Sequence, residues 1–532
     1  MLRPMILRMF RSAAVVWSSV LLMIWTPAAA ESMGDRVTLT WRDPAGHPSA
    51  LAQEALTLLG DAVSHGLDPA DYGLDALRRD WDSTDAEVQQ AQDRALTDAM
   101  RRYLGDLHHG RVDPAQLQMR FRPDRAEVFS AEAQLLDAVQ AGRMAQAVER
   151  AVPASPQYAL LREALRRYRA LEGHPAWRQP LPPLPRLRPG RPGRLDPGGW
   201  YAGLPLLSAR LQALGDLAPA ASDEGAQGRV VYDDRLVQAV QRFQARHGLA
   251  PDGVIGRQTL ARLEVDPAQR ATQIALTMER LRWTPVLRGR RMIVINIPEF
   301  VLRAYEVIDG RVRVQARMRV IVGQAMDHRT PLFDEDMRYA EFSPDWNVPP
   351  SIARAETVPR LRRDPAYGDR MGFEVVGPTG VASSVLNDQL LDDVLAGRLT
   401  LRQRPGPANA LGGVKFVFPN REHIYLHHTP SVSLFERDQR DFSHGCIRVE
   451  QPLELARFVM QGMPGWTPER ITEAMMLGES QTIRLADPVP VVIAYLTAVV
   501  RQGQVHFFDD LYGHDQALWQ ALAQRLRPSV PR

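Results

Sequence analysis

Cys446 is the one cysteine in 532 residues, and it stands in the stretch DFSHGCIRVE at positions 441–450. A lone cysteine cannot close an internal disulfide, so it is an apolar filler, an intermolecular link or a reactive thiol. In an oxidising compartment an unpaired thiol without a use is a hazard, which favours the third reading. A thiol attacks carbonyls as its thiolate, and with a pKa of about 8.5 only a few per cent is ionised near neutral pH, so a base or a positive surrounding must help. Four histidines are at hand: His423, His427, His428 and His444. In HIYLHHTP the residues alternate, so His423, Tyr425 and His427 share one strand face while Ile424, Leu426 and His428 share the other. Only one of the adjacent pair His427 and His428 can then face a site. Gly445 lets the backbone turn tightly beside the thiol and lets N–H groups converge on an oxyanion. Pro452 fits the first turn of a helix through Leu455 and Val459, whose positive end gives the thiol modest help. Zinc is the chemical rival, but His427, His428, His444 and Cys446 follow neither CxxC nor HExxH spacing, so neither metal nor cofactor is expected.

The elements that must position these groups begin at Arg291, where the hydrophobic period becomes two. Ile293, Ile295 and Ile297 alternate with Met292, Val294 and Asn296. After an Asp309-Gly310 turn, Val312, Val314, Ala316, Met318 and Val320 alternate with Arg or Gln. This predicts a β-meander with one solvent-facing side. Strand signal returns at GVKFVF and HIYLHH, and residues 491–512 read as a further strand or hairpin. Between them, PRLRRDPAYGDR and NDQLLDDVLAGR read as helical, which makes residues 351–407 a helical insertion and a candidate lid. Residues 288–525 are thus expected to form a mainly antiparallel β domain.

Upstream, residues 31–173 follow helix spacing and read as a scaffold domain, completed by a helix within 265–287 that Asp266 caps and Pro267 opens. Eight prolines in residues 174–199 predict an extended linker. Residues 200–264 read as a three-helix module, with Val237, Val240, Phe243 and His247 along one stripe, Gly248 ending the helix and Pro251-Asp252-Gly253 as a turn. The fold class is multidomain α+β.

Residues 1–30 read as a secretory signal, with Arg3, Arg8 and Arg11, an apolar run at 13–25 and Ala28-Ala29-Ala30 before Glu31. The run is short for a membrane span, so export to the periplasm and cleavage are expected, with no stable span afterwards. Removing those three arginines from the net charge of +3 leaves 62 basic and 62 acidic residues, a balance that argues against nucleic acid as a partner.

The module resembles the peptidoglycan-binding domain family, whose pattern AVxxFQxxxGLxxDGxxGxxT it follows almost position by position. HHTPSVSLFERDQRDFSHGCIR resembles the signature of the L,D-transpeptidases with a YkuD-type catalytic domain: a His, a gap, then Ser-His-Gly-Cys. The gap between His427 and Ser443 is 15 residues. The likeness extends through IVINIPEF, VIVGQ, Thr330-Pro331, WNVPP, LGGVKFVFPN and IYLHHTP, and the domain order is similar to the YcbB-like periplasmic subgroup. The resemblance implies Cys446 as nucleophile, His427 as base and the His428 carbonyl as the group that orients it. It also implies oxyanion-hole N–H groups from Gly445 and Cys446, with His444 lining the hole or tuning the thiol. Arg448 would hold a substrate carboxylate, and Tyr425 and Trp346 would wall the pocket. Two positions depart from relatives: Glu450 stands where many carry Asn, and His444 where the subgroup often has Ser.

The implied reaction cleaves the diaminopimelate–D-Ala bond of a tetrapeptide stem through a Cys thioester and forms a 3→3 crosslink on a second diaminopimelate amine. Water or a D-amino acid as acceptor would give carboxypeptidase or exchange activity. Peptidoglycan stems are the expected partners, with wall synthases and a D,D-carboxypeptidase as logical associates. The rival from another class is a non-catalytic wall anchor, which has no need of a thiol flanked by His and Gly.

Overall fold

The computed structural model describes residues 39–79, 81, 83–122, 129–186, 193–219, 231–286, 289–380 and 382–525. The expected signal at 1–30 lies outside these residues, as do 31–38 of the scaffold, 187–192 of the proline-rich run and residue 288 at the start of the expected catalytic domain.

The scaffold packs α1 (Ala50–Gly60), α2 (Leu74–Arg79), α3 (Ala86–His109), α4 (Ala131–Ala141) and α5 (Met144–Ala151) around Leu59, Leu96, Met100 and Leu104. Its helices start at side chains that satisfy the first free N–H groups: Ser49 accepts from Ala52, and Asp85 accepts from Glu87 and Val88. α6 (Pro156–Arg169) leaves this core and packs elsewhere.

In the module, α7 (Leu204–Ala213), α8 (Asp234–Arg246) and α9 (Arg257–Glu264) enclose Leu207, Val240, Phe243 and Ile255. The family pattern has a physical basis here. The buried Gln244 amide donates to Asp252 and Val254 and accepts the Gly253 N–H at 2.8 Å, so the FQ and DG elements of the pattern are one hydrogen-bonded unit. Gly248 ends α8 in the left-handed region at φ 68°. α10 (Pro267–Trp283) follows, with the Asp266 side chain accepting from Ala268.

The expected linker is not a free tether over its described residues. The fully buried Arg210 guanidinium donates to the carbonyls of Ala176 and Gln179, and Leu195 exchanges two backbone hydrogen bonds with Ile255. Prolines prevent a helix, yet the carbonyls between them remain strong acceptors, and Arg210 uses them.

The C-terminal β domain opens with β1 (Arg291–Asn296), β2 (Val301–Ile308), β3 (Arg311–Gly323) and β4 (Asp334–Phe342). An excursion follows: β5 (Trp346–Asn347), α11 (Pro350–Ile352), a π-helical turn at Ala353–Thr357, α12 (Val358–Arg363), α13 (Ala366–Met371), β6 (Phe373–Val376), β7 (Ala382–Ser383), α14 (Asp388–Leu395) and β8 (Thr400–Gln403). The chain returns as β9 (Val414–Val417), β10 (Leu426–His427), β11 (Asp441–Ser443), β12 (Ile447–Val449), α15 (Pro452–Val459), α16 (Pro468–Met476), β13 (Gln481–Ala494), β14 (Ala498–Arg501), β15 (Gln504–Phe507) and α17 (His514–Arg525). The main sheet runs β11-β3-β12-β10-β9-β4-β13-β1-β2, and an additional β2–β3 pairing closes it on itself. Most pairings are antiparallel; β1–β13, β10–β12 and β3–β11 are parallel.

Three expectations need correction. The insertion is not simply helical: β5-β8-β6-β7 form a second sheet whose core holds Val348, Val358, Phe373, Leu391 and Leu401. The meander does not keep one wet face. Met292 and Val294 of β1 are buried like Ile293 and Ile295, because α6 and α10 cover that side with Leu165, Ile274 and Met278. Each such apolar side chain contributes roughly 1.5–3 kcal/mol on burial. Conversely, Val312 and Val314 of β3 are exposed, since the outer half of the β2–β3 ribbon projects beyond the core.

Candidate active site

β10 is two residues long and lies between β9 and β12. Leu426 stands opposite Phe416 and Ile447, and all three sit in the core; His427 stands opposite Lys415 on β9 and Arg448 on β12. Alternation therefore puts Tyr425, His427, Cys446 and Arg448 on the other face of the sheet. The Ile447 N–H donates to the Tyr425 carbonyl at 3.1 Å, which sets Cys446 beside Tyr425 and diagonal to His427. Ile424 lies buried on the opposite side, as read, while the His423 side chain is exposed and only its carbonyl meets Cys446 Sγ, at 3.7 Å. Asn420 holds this approach in place by accepting the Ile424 N–H and donating to the carbonyls of Phe418 and Ile424.

The loop carrying the thiol is fastened by groups with no chemistry of their own. Thr330, 1% exposed, donates its hydroxyl to the Gly445 carbonyl at 2.8 Å and accepts the Gly323 N–H at 2.9 Å. Tyr512 donates to the Gly323 carbonyl at 2.6 Å. Gly323 admits no side chain, because a Cβ there would lie 1.9 Å from the His328 carbonyl oxygen and 3.0 Å from Gly445 Cα. Gly445 adopts φ 112°, open to glycine alone. Its N–H, expected in an oxyanion hole, instead donates to Ser443 Oγ at 3.2 Å, and Ser443 in turn donates to the Cys446 carbonyl. The Cys446 N–H has no acceptor among the described residues.

His427 is buried and its Nδ1 lies 2.5 Å from the His428 carbonyl. A carbonyl only accepts, so Nδ1 carries the proton and Nε2 is the free basic nitrogen. Burial, with the Arg448 guanidinium adding to it, lowers the His427 pKa to about 3. The Cys446 thiol is half-buried, and burial raises its pKa while hydrogen bonds from Tyr425 and the charges of Lys415 and Arg448 oppose that rise. The resting pair is a neutral imidazole and a neutral thiol. No hydrogen bond joins them here among the described residues. The His428 ring points the other way and accepts the Gly413 N–H at 3.1 Å, packed against the Gly412 backbone.

Burial, then the neighbouring Cys446 thiol, raise the Tyr425 pKa, and Trp346 acts weakly in the other direction. Arg448 is half-buried, its pKa lowered by burial, and its Nε has no partner among the described residues. His444 turns away from the thiol. Its Nε2 lies 2.7 Å from Glu356, in the π-helical turn of the insertion, and its ring meets His328 edge-on at 4.7 Å. Glu450, the departure from the family pattern, accepts the Arg319 N–H and Nε–H at 2.9 and 2.8 Å and so ties β12 to β3. A cleft of about 670 Å³ opens at the base of the insertion beside Asp345, Glu374, Arg402 and Asn409, away from Cys446.

Sequence reasoning missed Thr330 as the clamp on Gly445, Glu356 as the partner of His444, and Lys415. Composition could have found the last: among 65 basic residues Lys415 is the only lysine. It bonds Glu341 at 3.0 Å and stands 4.8 Å from the centre of the Tyr425 ring.

Comparison with known proteins fits this geometry. Residues 290–472 match the YkuD family, described as "L,D-transpeptidase catalytic domain"; residues 203–263 match the "Putative peptidoglycan binding domain", and residues 35–165 the "Scaffold domain". A Haemophilus influenzae protein named "Putative L,D-transpeptidase" is 29% identical over 321 residues, 58% of this chain and 63% of that protein, so the likeness spans less than two thirds of the relative. Two solved structures are similar over part of the chain. Bdellovibrio bacteriovorus Bd1075 is 13% identical and covers 44% of this chain and 56% of its own, at a TM-score of 0.16. A Clostridium acetobutylicum fused Zn-dependent amidase/peptidase/peptidoglycan-binding protein is 12% identical, with 57% and 100% covered, at 0.17. At those TM-scores neither carries an argument.

Proposed function

We propose, from a chain that carries a YkuD-type L,D-transpeptidase catalytic domain and a peptidoglycan-binding domain, that the protein is a cysteine-dependent L,D-transpeptidase forming 3→3 peptidoglycan crosslinks. The observation that supports this most is the His427 Nδ1–His428 carbonyl hydrogen bond on the sheet face that also bears Cys446. It fixes the one tautomer in which Nε2 can accept the thiol proton.

In this reading Cys446 Sγ passes its proton to His427 Nε2 and attacks the carbonyl between diaminopimelate and terminal D-Ala. The oxyanion takes the Cys446 N–H. The C–N bond breaks, the imidazolium returns its proton to the D-Ala amine, and a thioester remains. The amine of a second diaminopimelate then attacks the thioester, loses its proton to His427, and the thiolate leaves. Arg448, half-buried and with an Nε that has no partner among the described residues, is suited to a substrate carboxylate. The insertion, which touches the nucleophile loop through Glu356 and His444, is suited to cover the site and keep water from the thioester. Export to the periplasm, stem peptides as substrate, and wall synthases or a D,D-carboxypeptidase as associates belong to the same proposal.

The test is to incubate the purified protein with a carbapenem and measure intact mass. One covalent adduct that Cys446→Ala abolishes is expected. A folded protein without an adduct would put the wall-anchor reading ahead. Quantifying 3→3 dimers in wall digests of knockout and overexpressing strains then separates crosslinking from hydrolysis or exchange. Unchanged dimers in both strains would count against crosslinking.

A further inference from the structure

The sheet face that bears the thiol carries a row of polar side chains in cross-strand register. Arg448 on β12 stands opposite His427 on β10, His427 opposite Lys415 on β9, and Lys415 opposite Glu341 on β4. Neighbouring strands lie about 4.8 Å apart, so Glu341 is roughly 10 Å from His427 across the sheet. Lys415 Nζ bonds the Glu341 carboxylate at 3.0 Å and stands 4.8 Å from the centre of the Tyr425 ring, which neighbours Cys446. The sheet does not need this pair. Val414, Phe416, Ala340 and Phe342 already fill the core face of β9 and β4, and the two strands pair along their backbones. The Lys415 and Glu341 side chains keep only 21% and 18% of their surface, so both lose much of their hydration for an attraction that need not offset the loss. What remains exposed is an edge of each charge, within reach of a ligand. The one lysine among 65 basic residues carries three donors on a flexible stem, so it can hold Glu341 and a second acceptor at once.

We propose that Lys415 and Glu341 together form a specificity site for an α-amino-acid zwitterion at the end of a substrate side chain. An ion pair lying in the sheet presents a positive and a negative end side by side. A zwitterion laid antiparallel to it matches both, carboxylate on Lys415 and ammonium on Glu341. No proton moves, and the protein's own pair stays closed. The site flanks His427 on the side away from Arg448. A substrate with its carbonyl at Cys446 and its backbone carboxylate on Arg448 therefore sends a short alkyl side chain toward Lys415. The Tyr425 ring, which neighbours both the thiol and the ammonium, offers those methylenes an apolar surface. Diaminopimelate has this form, since its side chain ends in a second amino-acid centre. Lysine in its place keeps the ammonium and lacks the carboxylate, so the site tells the two apart. The zwitterion follows from charge and register; only its identification with diaminopimelate rests on the transpeptidase reading.

The test is calorimetric titration of the full chain carrying Cys446→Ala, which cannot form a thioester, with tetrapeptide stems that differ only at the third residue: diaminopimelate, lysine or norleucine. Each step removes one charge-assisted contact, so binding should weaken by about tenfold from diaminopimelate to lysine and again by several-fold from lysine to norleucine. Adding Lys415→Met should lower the diaminopimelate stem to the level of the lysine stem or below. Adding Glu341→Gln instead should erase the step from lysine to norleucine. If leaving one charge unpaired unfolds the protein, Lys415→Met/Glu341→Gln removes both and should bind all the stems alike. Equal affinities for the diaminopimelate and lysine stems, a difference that survives the double variant, or no binding of any stem overturns the inference. A preference for diaminopimelate that depends on Lys415, in a protein whose Cys446 forms no carbapenem adduct, would sink the transpeptidase proposal and leave this site standing. An adduct without that preference would do the reverse.

Discussion

Thr330→Val replaces the hydroxyl that fastens the nucleophile loop by a methyl of similar size, so it opens almost no cavity. It orphans two buried backbone groups at once, the Gly445 carbonyl and the Gly323 N–H, which Thr330 now satisfies at 2.8 and 2.9 Å. An unsatisfied buried polar group costs about 1–3 kcal/mol, so the pair should destabilise the protein by roughly 2–6 kcal/mol. Water reaches neither group easily, since Thr330 is 1% exposed and the Gly323 position is packed against backbone on two sides. The same loosening displaces Cys446 relative to His427, and a shift of about 1 Å in a reacting group costs on the order of 10²-fold in rate. The urea midpoint and the rate of carbapenem acylation are the two readouts. Thr330→Ser keeps both hydrogen bonds and loses one methyl, about 0.8 kcal/mol, so it should acylate nearly normally. If the valine variant unfolds at the wild-type midpoint and acylates at the wild-type rate, or if serine behaves like valine, Thr330 is not the clamp.

Further outcomes follow from neighbouring features. His65 and His427 both have pKa values lowered to about 3 by burial, against 6.5 when unfolded, so the unfolded chain binds more protons between those values. Stability is therefore full above about pH 6.5 and falls toward pH 3, by about 2 kcal/mol per histidine at pH 5; urea midpoints at pH 7 and pH 5 measure it, and equal midpoints refute it. Gly323→Ala drives a Cβ into the His328 carbonyl and should abolish soluble expression or lower the melting temperature by many degrees; a normal melt would show that the loop has room. Glu356→Ala removes an exposed contact to His444 and should leave the melting temperature within a degree or two. It should raise the reactivity of Cys446 toward a bulky disulfide reagent relative to iodoacetamide, and an unchanged ratio would mean the insertion does not screen the thiol.

The local grammar of the chain was legible because its signals are local. Asp266 and Pro267 mark the start of α10, Gly248 ends α8, and alternation in HIYLHH separates Tyr425 and His427 from Leu426 and Ile424. What stayed hidden depends on contacts between segments far apart in sequence. The second buried face of β1 is invisible in its own alternation, since α6 lies more than a hundred residues upstream. Gly445 looked like an oxyanion donor until Ser443 took its N–H. His444 looked like a neighbour of the thiol, as it is in sequence, but the chain turns between the two at Gly445, whose φ is 112°, and His444 meets Glu356.

The cover that α6 and α10 give β1 and β13 has a consequence for how this chain can vary. Gln157 of α6 exchanges two hydrogen bonds with Val500, and Gln273 of α10 donates to the carbonyls of Thr497 and Phe508. The barrel has no finished back of its own, so it cannot be inherited or transplanted as a cassette without those two helices. The insertion, with its private core around Phe373 and Leu401, is the piece that recombination could exchange while the rest stays folded. Sequence change should therefore accumulate in the insertion, whereas α6, remote from the thiol, should drift only as fast as the sheet it seals.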